Sequence, residues 1–319
     1  MTQTTILVPL DGSKIAEEGL VSACRLARET GATLWLMRAV SPNAPELGVP
    51  GIEQHAVQQA TAYLHAVQEN LRRQGFTAHS EVLPTYPVQA ILFACEAHDI
   101  DLISICTHGL TGLHHALVGS VADAVIRRQP APILITRAGH HPTESVLTPF
   151  RRLLVPLDGT TLAEVALAFL GKEHLGRNGE VILFRAVAPV QPPVMPMATG
   201  EVVSTILKQA EENTAQHRAE ADSYLAATGN TYLRGSNWTP RSIVGYAGEE
   251  IPAMARTERA DLIVMATHAR HGFDKLVHGS VAGEVMRKAE VPILLVRNAE
   301  VGPAERPLSP TPIRAASAL

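Results

Sequence analysis

A chain of 319 residues that is 46% apolar and 18% charged, with a formal net charge of −4, has the size and balance of a soluble protein of two domains and lacks the basic surplus a nucleic-acid partner requires. Aromatic residues make up only 4%, so the core must be built from Leu, Ile, Val and Ala, as in sheets covered by helices on both faces. Cys24, Cys95 and Cys106 form no CxxC pair, the first residues do not read as a signal peptide, and no apolar run approaches the roughly 20 residues of a membrane span. Neither a disulfide framework, a zinc knuckle nor a membrane is implied, and the cytoplasm is the expected compartment.

The run TTILVPL at 4–10 is β-branched and apolar and stops at Asp11-Gly12, which predicts a buried strand followed by a turn. Ser13 opens a helix whose apolar positions Ala16, Leu20, Ala23, Cys24 and Ala27 keep helical spacing. A second strand is expected at 33–40. A loop with Pro42, Pro45 and Pro50 then leads into a long amphipathic helix ending near Gly75. Strand three follows at 77–83, helix three at 88–98, strand four at 102–106, helix four at 120–128 and strand five at 132–137. Strands alternating with helices imply right-handed crossovers and a parallel sheet.

The pattern then repeats. ILVPLDGS at 6–13 is answered by LLVPLDGT at 153–160, and DLISICTHG at 101–109 by DLIVMATHA at 261–269. VGSVADAVIRR at 118–128 is answered by HGSVAGEVMRK at 278–288, and APILITR at 131–137 by VPILLVR at 291–297. Four matched blocks in one order define two copies of one domain, at 1–138 and 151–298. A polar linker at 139–150 separates them, and a proline-rich, disordered tail is expected at 299–319. Asp11 and Asp158 stand 147 positions apart but Gly119 and Gly279 stand 160 apart, so the second copy has gained 13 residues between these points. Gly75 and Gly229, each placed before a third strand, differ by 154. That spacing assigns about half of the gain to the Pro/Met-rich stretch after Val187 and the rest to 235–241, both expected as loops.

In an open parallel sheet, ligands bind beyond the carboxyl ends of the strands where the strand order reverses. Asp11 and Asp158 reach that edge, as do the segments 106–120 and 266–280. Gly119 and Ser120 precede the apolar-periodic helix, whose first N–H groups and positive dipole end can accept an anion. Gly109 and Gly112 let the backbone approach a phosphate. Ser120 can equally cap the helix, with Asp123 completing a capping box, and the two roles are compatible. Asp11 suits ribose or base rather than phosphate, because like charges repel; the plainer reading of Asp11-Gly12 is a turn.

VPLDGS on strand one, THG after strand four, nine residues and then GS, and a closing PILITR together resemble the universal stress proteins, in their tandem form. The likeness covers residues 4–137 and 152–297. It implies two Rossmann-like α/β domains (adenine nucleotide alpha hydrolase-like), each with a five-stranded parallel sheet ordered 3-2-1-4-5. It also implies a pseudo-dimer joined through the fifth strands, 133–136 against 293–296, and leaves room for a homodimer of two chains. ATP-binding members carry glycine, two residues, glycine, nine residues, then glycine and Ser or Thr. Here Cys106 stands at the first position, followed by Gly109, Gly119 and Ser120, whereas the second copy has Ala266, Ala269, Gly279 and Ser280. By resemblance the ATP contacts are Pro9, Leu10, Asp11 and Ala39 on one side and Cys106, His108, Gly109, Gly112, Gly119, Ser120 and Val121 on the other, with Mg2+ accompanying the phosphates. Asp158, Gly279 and Ser280 are the second-copy counterparts, and Ala186 answers to Ala39. Each added Cβ disfavours positive φ, so ATP is expected mainly in the first copy.

Fourteen histidines invite a metal, and His108, His114 and His115 share a loop with Cys106, partly echoed by His268 and His271. No HExxH or zinc-spaced Cys/His pair occurs, so no metal site is assigned. His108 and His268 fit either an approach to phosphate or loop packing. No GxSxG elbow and no P-loop is present, and Lys14, which could reach a phosphate, is Thr161 in the second copy. Cys106 reads as a reactive thiol if the helix N-terminus activates it, and otherwise as an inert strand-end cysteine. The expected function is a stress-response module that binds ATP; the alternatives are slow ATP hydrolysis and a nucleotide-free scaffold.

Overall fold

The computed structural model of the chain describes residues 4–41, 52–107, 119–139, 148–193, 200–267 and 281–297. The first half runs β1 (Thr5–Pro9), α1 (Lys14–Thr30), β2 (Thr33–Ala39), α2 (Ile52–Arg73), β3 (Ala78–Leu83), α3 (Pro87–Ala97), β4 (Leu102–Thr107), α4 (Ser120–Arg128) and β5 (Ile133–Arg137). The second half repeats it as β6 (Arg152–Pro156), α5 (Thr161–Glu173), β7 (Glu180–Val187), α6 (Gly200–Tyr232), β8 (Asn237–Val244), α7 (Ala247–Thr257), β9 (Leu262–Thr267), α8 (Val281–Lys288) and β10 (Ile293–Arg297). This is an α/β fold, with helices on both faces of a mostly parallel sheet.

All of these strands join one ten-stranded sheet ordered β3-β2-β1-β4-β5-β10-β9-β6-β7-β8. Neighbours within each half are parallel, and β1 lies between β2 and β4, with Ile6 opposite both Leu34 and Leu102. The halves meet where β5 and β10 pair antiparallel, Leu294 opposite Leu134 and Ile293 opposite Ile135. An unpaired fifth strand would leave a row of bare N–H and C=O groups beside a buried apolar stretch, and the pairing removes that edge from both halves.

Side chains alternate along each strand, so each strand feeds two apolar layers. Ile6, Val8, Leu153 and Val155 face α1, α2, α5 and α6 in one layer. Leu7, Ile103, Leu154 and Ile263 face α3, α4, α7 and α8 in the other. Polar ties also cross between the halves. Arg25, 3% exposed, pairs with Asp261 at 3.1 Å and lies over the Phe150 ring, while Thr4 donates to Glu173 at 2.7 Å. Gln129 is buried in a left-handed conformation with φ 38°, where its Nε2 donates to the Leu295 carbonyl and its Oε1 accepts from Thr267.

The reading of the added 13 residues is corrected. Gly229 does not precede a strand; it lies inside α6, where a Cβ would come within 2.5 Å of the Trp238 ring. The true counterpart of Gly75 (φ 84°) is Gly235 (φ 80°), 160 positions on. The β2 and β7 registers still differ by 147, since Thr33 pairs with Thr5 and Glu180 with Arg152. The whole gain therefore precedes β8, and α6 absorbs most of it, with 33 residues against 22 in α2. Residues 235–241 belong to a tight turn and β8 rather than to an enlarged loop. The central part of the linker and the proline-rich tail lie outside the described residues.

Candidate functional site

β1 and β4 are neighbours whose onward connections run to opposite sides of the sheet, so their carboxyl ends diverge and leave a crevice. A cleft of about 270 Å³ opens there in the first half. Pro9 at the end of β1 and Leu10 and Asp11 just beyond it border the cleft, with Ala39 from β2, Cys106 from β4, and Gly119, Ser120 and Val121 from the start of α4. Eight residues expected from sequence thus share one wall system, although they come from four separate stretches of chain. His108, Gly109, Gly112, Gly279 and Ser280 lie outside the described residues, as do His114, His115, His268, Ala269 and His271.

The cleft is also lined by Ala16, Met37, Pro87, Ile91, Ile105 and Ala122, which sequence reasoning did not assign to the site. They supply an apolar floor, and their only sequence signal is that each belongs to a buried periodic stretch. Small or apolar walls with a few convergent polar groups are the usual make-up of a small-molecule site.

At the helix end the capping-box reading is corrected. Gly119, not Ser120, is the N-cap, with φ −57°, and it makes no side-chain cap bond. Ser120 is the first helical residue and is exposed. The Asp123 carboxylate turns away to accept from Arg127 Nε at 2.7 Å, an i,i+4 pair that outcompetes a bond back to the N-cap. The first N–H groups of α4 have no partner within the helix, and this end carries its positive dipole.

At the opposite corner, Asp11 Oδ1 accepts the Ser13 N–H at 2.8 Å, and the Ser13 hydroxyl caps α1 by accepting from Ala16 N–H at 3.1 Å. Gly12, at φ 88°, makes the turn, and a Cβ there would lie 3.1 Å from the Arg38 guanidinium. Arg38 in turn sits over the Tyr63 ring, and the Tyr63 hydroxyl donates to Glu17 at 2.8 Å. Burial pushes the Asp11 carboxyl up, but the Ser13 hydrogen bonds, its own N–H and Arg38 outweigh it and hold the group below its ordinary value. The same arrangement recurs in the second half. Thr160 donates to Asp158, Arg185 crowds Gly159 and lies over Tyr224, and Tyr224 donates to Glu164 at 2.9 Å. Arg38, Tyr63 and Glu17 were missed in the sequence, although Arg-Ala near the end of the second strand recurs in both copies, as Arg38-Ala39 and Arg185-Ala186.

Cys106 sits at the cleft with its backbone against α1, where a Cβ on Gly19 would come within 3.1 Å of its nitrogen. Burial, aided by the Glu18 charge, pushes its thiol up to about 12, so at neutral pH it is a protonated lining group and the reactive-thiol reading falls. Lys14 opens α1 on an exposed turn and is not among the cleft-lining residues. Among the described residues no helix is long and apolar enough to cross a membrane.

Comparison with known proteins matches this architecture. The model of the universal stress protein family fits residues 3–137 and again 149–297. A universal stress protein of Mycobacterium tuberculosis strain H37Rv is 25% identical over 305 residues, spanning 92% of this chain and 96% of its own length. One from Methanocaldococcus jannaschii is 30% identical over 138 residues, 41% of this chain and 81% of the relative. A universal stress protein structure from Archaeoglobus fulgidus aligns over 93% of this chain and 99% of its own, with a TM-score of 0.65 at 17% identity.

Proposed function

The chain belongs to the universal stress protein family, present as two copies in tandem, and from that premise we propose that it binds one adenine nucleotide, ATP, in the cleft of its first half and acts as a nucleotide-dependent stress-response module. The observation that carries this reading is the convergence of Asp11, Ala39, Gly119 and Ser120 on one cleft at the point where strand order reverses.

The residues divide the ligand by chemistry. The N-terminus of α4 takes the phosphates, because its unpaired N–H groups and dipole favour an anion and Gly119 puts no side chain in the way. Asp11 takes the ribose, whose hydroxyls can donate to a carboxylate held charged and fixed by Ser13 and Arg38. Met37, Ala39 and Ile91 provide the apolar surface for the base. Any Mg2+ would be carried by the phosphates, with Ser120 the adjacent protein hydroxyl. The two halves, joined through β5 and β10, form a pseudo-dimer in which nucleotide occupancy of one half biases contacts made by the whole.

Equilibrium dialysis of the full chain against labelled ATP tests the site. Gly119→Glu should abolish retention and Gly279→Glu should leave it nearly unchanged; equal losses would refute the assignment to the first half. Phosphate release under single-turnover conditions separates binding from slow hydrolysis.

A further inference from the structure

α1 and α2 leave an open groove of about 430 Å³ between them, which shares no lining residue with the cleft. Cys24 on α1 and Leu71 on α2 are buried at its base, and Val67 adds to its apolar wall. Glu17 and Tyr63 border it where the two helices are tied by a hydrogen bond. The half-buried Glu17 accepts the Tyr63 hydroxyl through Oε1 at 2.8 Å, and among the described residues nothing donates to its Oε2. The groove is thus an apolar trough with one hydrogen-bond acceptor at its edge.

The second half shows what fits such a place. Glu164 on α5 answers to Glu17, 147 positions on, and the helical frame of α6 runs 161 ahead of α2, with Ala221, Tyr224 and Leu225 for Ala60, Tyr63 and Leu64. Tyr224 donates to Glu164 Oε1 at 2.9 Å, as Tyr63 does to Glu17. In this frame Leu71 is replaced by Tyr232, whose hydroxyl donates to the other oxygen, Oε2, at 3.2 Å. The two tyrosines stand eight positions apart, about 12 Å of helix rise, yet both reach one carboxylate. The Tyr232 ring therefore lies back along α6, packed against the core beneath α5 and α6. Burial and the Glu164 charge push its hydroxyl up, so it stays a donor. Both oxygens of Glu164 are taken by phenols of the chain itself, whereas the first half supplies one phenol and, at Leu71, an aliphatic group that cannot donate.

We propose that the groove between α1 and α2 binds a small phenol, a flat aromatic ring bearing a hydroxyl, which takes the place that the Tyr232 ring fills in the second half and donates to Glu17 Oε2. The volume of about 430 Å³ falls within the range of small-molecule sites, and an apolar wall with one or two convergent polar groups is their usual make-up. The ring supplies affinity through the apolar area it removes from water. The hydroxyl supplies specificity, because an aromatic without it would strip water from Oε2 and return no hydrogen bond. The site does not depend on the nucleotide reading, since the two sets of lining residues are separate.

Calorimetric titration of the full chain with 2-naphthol tests this. The unmodified chain should take up one equivalent. Leu71→Tyr gives the first half the phenol that the second half already carries, and it should weaken 2-naphthol at least about tenfold. Ala66→Phe should do the same from an exposed position on the groove wall, which keeps the test sound if tyrosine disturbs the buried base. Glu17→Gln removes the charged acceptor and should weaken 2-naphthol about tenfold, to the level of 2-methoxynaphthalene, which has the same rings and no hydroxyl proton. Uptake that survives both Leu71→Tyr and Ala66→Phe would put the ligand elsewhere on the chain and overturn the proposal. So would equal affinity of the unmodified chain for the two naphthalenes, indifference to Glu17→Gln, or no uptake of 2-naphthol at all.

Discussion

Asp11 is a local feature with a distant support. The Asp-Gly turn was legible because its chemistry is written in consecutive residues, whereas Tyr63 and Glu17 are 46 positions apart and reveal no pattern until the chain folds. Asp11→Ala removes a hydrogen bond to a charged group and should weaken ATP binding roughly tenfold, read by calorimetric titration. The carboxyl is held below its unfolded value, so its contribution to stability is present above about pH 3.9 and is lost as pH falls through the lowered value. Asp11→Asn should therefore flatten part of the acid limb of a stability–pH curve; an unchanged limb would show the group to be uncoupled from folding. Cys106, with its thiol pushed up to about 12, should react with iodoacetamide at pH 7 at least about a hundredfold more slowly than in the urea-unfolded chain. Cys106→Gly should tighten ATP binding by restoring the missing loop glycine, and an unaltered dissociation constant would show that position to be indifferent.

Elements were legible wherever periodicity was strong, and their ends shifted by only a residue or two. The failures have specific causes. Gly229 resembled a helix terminus, but packing of Trp238 on the helix face favours glycine in mid-helix, an interaction invisible to local pattern. The capping box at α4 failed because Asp123 had a better partner one turn on in Arg127. Side-chain ties between the two halves were not legible. Asp261 accepts from Arg25 and from the Arg151 and Arg152 N–H groups, so it fixes α1 of the first half to the start of β6. Asp261→Ala removes the carboxylate paired with the Arg25 guanidinium, which is 3% exposed, and should destabilise the chain by about 3 kcal/mol in urea unfolding. A loss within experimental error would mean that the Arg25–Asp261 pair does not contribute to holding the two halves together.

At the scale of the molecule, duplication was the clearest signal, because four matched blocks in one order imply two copies before any element is assigned. Periodicity and spacing alone could not give the continuity of ten strands in one sheet; only the family resemblance implied the joining of 133–136 to 293–296, and the pairing of Leu134 with Leu294 depends on which edge each copy presents. Within that symmetric frame the two halves are chemically unequal, with Gly109 against Ala269 in the loop. The central claim is that one half carries the nucleotide and the other serves as its fixed partner. Native mass spectrometry of the full chain titrated with ATP tests this most directly. The account predicts a single adduct that saturates at one ATP per chain and disappears in Gly119→Glu; a bare chain at saturating ATP, or a second adduct filling at the same concentration as the first, would contradict it.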